Sequence, residues 1–69
     1  MDKYIFLSLV RPGYIVVDGG ANIGDYTQIF SRIVGASGQV LSFELAPPTL
    51  EKLKSNIQSW RLLNVKTFS

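Results

Sequence analysis

The stretch VVDGGANIGDYT, Val16 to Thr27, sets three glycines, two aspartates and an asparagine between an apolar run and an amphipathic one. Upstream, Tyr14 to Asp18 is apolar until its final acid and β-branched at Ile15, Val16 and Val17. A strand apolar on both faces belongs inside a parallel sheet. Downstream, Tyr26, Ile29, Phe30, Ile33 and Val34 recur at the spacing of one apolar helix stripe. Gly35 stands where a C-terminal glycine cap belongs. The stretch is therefore a turn leading from the carboxyl end of a strand into the N-terminus of a helix.

The rest of the chain repeats the alternation. Gln39 to Glu44 reads as a second strand, and Pro47-Pro48 ends it and prepares a helix start. Leu50, Leu53, Ile57 and Trp60 form a second stripe, with Glu51, Lys52, Lys54 and Gln58 off it. Val65 to Phe68 begins a third strand, whose Lys66 and Thr67 suit a sheet edge. The order β-α-β-α-β with right-handed crossovers predicts a parallel sheet in the order 3-2-1. Both helices then lie on one face and the other face of the first strand is bare, as in half of a doubly wound α/β fold. Residues 1–13 are read as an N-terminal lead-in and turn. Residues 14–69 are read as the N-terminal half of a Rossmann-like domain, incomplete as it stands. Tyr4 to Val10 is too short to span a membrane, and Arg11-Pro12-Gly13 replaces a small-residue cleavage site.

Composition narrows the chemistry. The 69 residues carry a net charge of +2, spread from Lys3 to Lys66 rather than clustered. On charge alone this argues against a nucleic-acid partner and against a membrane surface. Histidine and cysteine are both absent, which excludes disulfides, thiolate catalysis, a zinc finger and a histidine relay, and leaves no metal site to assign. Cytoplasmic is the expected compartment. A chain this short buries little of its surface, so its stability is marginal.

Three ligand classes compete for the glycine turn. A phosphate-binding P-loop needs Gly-Lys-Ser/Thr at the helix start, and the chain has Gly24-Asp25-Tyr26. The dinucleotide fingerprint survives only as Gly19-x-Ala21-x-x-Gly24, with alanine where the pyrophosphate needs its closest approach. Asp18 and Asp25 would repel a pyrophosphate. S-adenosylmethionine has no phosphate, and its α-ammonium and sulfonium favour a nearby carboxylate, while its own carboxylate can use amides at a helix start. Glu44 ends the second strand 20 positions after Gly24, where an acid can accept hydrogen bonds from both ribose hydroxyls. Leu45 beside it can pack on an adenine face.

The run from Arg11 to Phe68 resembles the N-terminal half of the FkbM-type S-adenosylmethionine-dependent methyltransferases. The resemblance rests on "PGYIVVDGGANIGDYT" and on "GQVLSFE" before a helix that ends near Asn64-Val65. It implies a Rossmann-like methyltransferase fold and S-adenosylmethionine as cofactor. Asp18, Gly20, Ala21, Asn22 and Gly24 would surround the methionine moiety, with Glu44 on the ribose and Leu45 at the adenine. Asp25 and Thr27 are secondary candidates. The implied reaction is O-methylation of a small molecule or sugar, with the acceptor site and later strands outside this segment, so the segment alone is expected to be inactive. No residue here is a credible catalytic base. The family's Glu-Pro-Asn-Pro becomes Glu44-Leu45-Ala46-Pro47-Pro48, and Trp60-Arg61 stands where small or polar residues are commoner. A dinucleotide-binding fragment of an oxidoreductase is the alternative. So is a truncated, non-catalytic interaction module that self-associates through its bare sheet face.

Overall fold

The computed structural model describes residues 10–69. Residues 1–9 of the expected lead-in lie outside the described residues. Its turn is described: Gly13, with φ of 86°, donates its amide to the Val34 carbonyl at 2.8 Å.

The elements are β1 (Ile15–Gly19), α1 (Asp25–Val34), β2 (Gln39–Phe43), α2 (Pro47–Ser59) and β3 (Val65–Phe68). The strands are parallel in the order β1-β2-β3, the expected 3-2-1 seen from its other edge. β1 starts one residue later than the sequence suggests and takes in Gly19, while β2 stops at Phe43 and leaves Glu44 just beyond it.

Side chains alternate across the sheet as the pleat requires. Val16 and Asp18 of β1, and Val40 and Ser42 of β2, point into the helix layer and are buried. Ile15 and Val17 point the other way and remain 69% and 60% exposed. β1 is thus apolar on both faces but covered on one, because both crossovers return on the same side. Val10, Val16, Phe30, Val34 and Val40 form the core, with Ile33 and Val65 packed against it.

The buried line of α1 departs from its apolar stripe. Thr27, Phe30, Ser31 and Val34 face inward, while Tyr26 is exposed and stacks on Phe30 with ring centroids 6.2 Å apart. Hydroxyl groups hold two of these four inward positions, because each finds a partner on another element. Ser31 bonds the Asn64 side chain, and Asn64 Nδ2 donates to the Ser31 and Gly35 carbonyls at 2.9 Å each. The approach to β3 thereby adds a second donor to the Ser31 carbonyl and supplies one to the Gly35 carbonyl just past the end of α1. Gly35 caps the helix with φ of 67° and donates to the Ser31 carbonyl at 3.2 Å.

α2 begins with Pro47 and Pro48 in its first turn, where a missing N–H costs nothing. Leu53 is its one fully buried side chain and points at the glycine turn. No helix among the described residues is long and apolar enough to cross a membrane.

Candidate cofactor site

The glycine turn crosses from the end of β1 to the start of α1 and is held at four points. The Ala21 amide donates to the Phe43 carbonyl at 2.9 Å, which ties the turn to the end of β2. The Asn22 amide donates to Glu44 Oε1 at 2.7 Å, and the Ala46 amide donates to Glu44 Oε2 at 3.2 Å. From below, Asn56 Nδ2 of α2 donates to the Ile23 carbonyl at 2.8 Å. The fourth point is packing at Gly24, where an added Cβ would lie 2.9 Å from Leu53 Cδ1 and 3.2 Å from the Trp60 ring.

The glycines therefore differ in purpose. Gly24 has φ of 103° and is closed in by Leu53 and Trp60, so packing alone requires glycine there. Gly20 has φ of 66°, yet a Cβ built on it, or on Gly19, meets nothing within 4 Å. These two leave an open cradle on the outer side of the turn, shaped for close approach of a ligand to backbone. Asn22 also takes the left-handed conformation, with φ of 57°, which asparagine tolerates better than most residues. Ala21 is buried and anchors the turn through its amide.

Asp18 immediately precedes Gly19 near the end of β1, and Glu44 follows the end of β2 and holds the Asn22 amide of the turn. Asp18 is 8% exposed. Its Oδ2 accepts a 2.6 Å hydrogen bond from Thr27 Oγ1, which in turn lies 2.8 Å from Ser42 Oγ. Burial pushes the Asp18 carboxyl above its ordinary pKa, and the Thr27 hydrogen bond pulls it partly back. Leu45 is 84% exposed, so no core contact claims it. Asp25 is an exposed acid in the first turn of α1, whereas Thr27 is fully buried.

Three contributors were not singled out from sequence: Ser42, Asn56 and Asn64. Ser42 and Asn56 carry a faint signal, a polar residue on a face that is otherwise inward, while Asn64 lies in the turn before β3 and carries none. Ser42 follows Val40 by two along a strand, and Asn56 follows Leu53 by three along a helix.

The fold is the Rossmann-like methyltransferase fold, present in part. A SAM-dependent methyltransferase from Aquifex aeolicus superposes with a TM-score of 0.88 at 22% identity, over 97% of this chain and 36% of that one. The catalytic subunit TRM61 of tRNA (adenine(58)-N(1))-methyltransferase from Cryptococcus neoformans var. neoformans serotype D is 41% identical over 65 residues. That match covers 93% of this chain and 15% of the relative. Ribosomal RNA large subunit methyltransferase E from Bdellovibrio bacteriovorus is 39% identical over 49 residues, 71% of this chain and 24% of the relative. The chain thus spans about a quarter or less of the length of these two curated relatives. No protein-family model matches it.

Aeropyrum pernix fibrillarin, solved with natively bound S-adenosyl-L-methionine, superposes with a TM-score of 0.71 at 25% identity over 86% of this chain and 25% of that one. Together these findings bear out S-adenosylmethionine as the cofactor expected from the charge of the turn. They overturn one expectation. A small-molecule or sugar acceptor with no nucleic acid does not fit relatives that are tRNA and rRNA methyltransferases. The physical reason lies in what the charge measured. A weak, dispersed +2 describes these 69 residues, which match only 15% and 24% of the two relatives, and says little about an acceptor class.

Proposed function

We propose that this chain is the S-adenosylmethionine-binding segment of a methyltransferase whose acceptor is RNA. The observation that carries the cofactor assignment is the open cradle at Gly19 and Gly20, with Asp18 beside it and Glu44 holding the same turn. The relatives' tRNA and rRNA activities support the acceptor class. An FkbM-type subfamily rests on the sequence resemblance alone, at Asp18 to Gly24 and at Glu44, and a cytoplasmic location belongs to the same proposal.

In this reading Asp18 faces the cationic methionine end, and Gly20, Ala21, Asn22 and Gly24 supply the backbone curve around it. Glu44 receives the ribose hydroxyls and Leu45 covers the adenine. S-adenosylmethionine supplies an electrophilic methyl group on its sulfonium. The chain's own residues bind and orient: the turn fixes position, the carboxylates match charge, and the anchored backbone limits rearrangement on binding. Fixing donor geometry is a large part of what such an enzyme contributes to rate.

Glu44 has a second duty, since its oxygens already hold the Asn22 and Ala46 amides. Glu44→Ala should weaken S-adenosylhomocysteine binding by about 1.5–3 kcal/mol, the range for hydrogen bonds to a charged group. Calorimetry on wild type and variant measures this. A loss below about 0.5 kcal/mol would confine Glu44 to holding the turn.

A further inference from the structure

Behind the cradle, Thr27 and Ser42 are both fully buried, and both project between helix and sheet where aliphatic side chains would pack without polar cost. Register places Ser42 directly beside Asp18 on the neighbouring strand, and Thr27 comes down on the pair from α1. The direction of the hydrogen bonds follows from counting protons. An ionised Asp18 can only accept, so the single Thr27 proton goes to Asp18 Oδ2. Thr27 then has only lone pairs to offer Ser42, so Ser42 donates to Thr27.

The result is an ordered chain, Ser42 to Thr27 to Asp18, ending on one carboxylate oxygen. The other, Oδ1, takes no hydrogen bond among the described residues, and none of their buried side-chain oxygens is left without a partner. Oδ1 is therefore the oxygen still reachable from outside. Aliphatic residues at positions 27 and 42 would fill the same space, but they would leave the carboxylate free to rotate and unsupported.

We propose that Thr27 and Ser42 are positioning residues that lock the Asp18 carboxylate with Oδ1 presented to the cationic end of the bound cofactor. This rests on the cofactor reading above, and its test separates the two. Thr27→Val keeps the shape and removes the hydroxyl; Thr27→Ser keeps the hydroxyl. S-adenosylhomocysteine affinity should fall roughly tenfold or more in Thr27→Val, as expected for a lost hydrogen bond to a charged group, and return to near wild type in Thr27→Ser. Ser42→Ala should give a smaller loss, since it acts one bond further away. The Asp18 carboxyl, followed by carbon-13 NMR without ligand, should titrate higher in Thr27→Val than in wild type; no charged side chain among the described residues hydrogen-bonds it to mask the change. Should Thr27→Val fail to fold, Ser42→Ala and Thr27→Ser carry both readouts. Wild-type affinity in a folded Thr27→Val or Ser42→Ala variant, or an unmoved Asp18 titration, would overturn the proposal. Failure of wild type to bind would instead count against the cofactor reading, and the titration would still decide the role of Thr27.

Discussion

A carboxylate that is 8% exposed, with one oxygen taken by Thr27, has given up most of its hydration. Burial raises the folded-state pKa of Asp18, so ionising it is harder in the fold than in the unfolded chain. The sign for stability follows. Below the unfolded value the group is neutral in both states and costs nothing, and stability is lost as pH rises through the folded value. Asp18→Asn can still accept from Thr27 and carries no charge, so its melting temperature at pH 7 should exceed that of wild type. The same variant should bind S-adenosylhomocysteine more weakly, because the ligand's α-ammonium favours the ionised form. Thermal melts and calorimetry on one pair of proteins check both halves; a less stable Asp18→Asn protein would contradict the burial argument. The placement of Asp18 and Glu44 at the glycine turn was legible in the sequence, because each is an acid at the end of an apolar strand run. Thr27 was legible only as a secondary candidate and Ser42 not at all, since a hydroxyl reads the same on a surface as in a relay until register brings it to a partner.

The elements were legible where side-chain period and punctuation agreed. Pro47-Pro48 and Gly35 marked helix ends because proline lacks an N–H and glycine tolerates φ of 67°. The inward line of α1 was misjudged by one position, because apolar spacing cannot reveal that Thr27 and Ser31 have buried partners. Asn64 shows the same blindness at the other end of α1, where it bonds Ser31 from 33 residues away and the Gly35 carbonyl from 29. Asn64→Ala should cost about 1–3 kcal/mol in chemical denaturation, the penalty for leaving enclosed polar groups unpaired. Gly38 is a second hidden constraint: an added Cβ would lie 2.4 Å from Val34 Cβ and 2.6 Å from the Tyr14 carbonyl oxygen. Gly38→Ala should therefore destabilise by about 1–3 kcal/mol through overpacking. A neutral result at either position would show that the loop between α1 and β2 relaxes more freely than the packing implies.

Across the whole molecule, the sheet order, its parallel strands and the one-sided helix layer follow from chain order and crossover handedness. One-sidedness also makes the two faces of β1 unequal. In this 69-residue chain Val16→Ala should cost about 1–3 kcal/mol. Val17→Ala, at 60% exposure, should stay within about 0.5 kcal/mol. Equal losses in denaturant melts would mean that the outer face is covered. The proposed acceptor class was not legible, because the net charge of 69 residues reports only on those residues.

The central claim, a turn built for a nucleoside with an α-ammonium rather than for a dinucleotide with a pyrophosphate, is tested most directly by titrating S-adenosylhomocysteine and NAD separately into the same protein by calorimetry. The open backbone at Gly19 and Gly20 and the flanking Asp18 predict measurable binding of S-adenosylhomocysteine and none of NAD. Tighter binding of NAD would contradict the account.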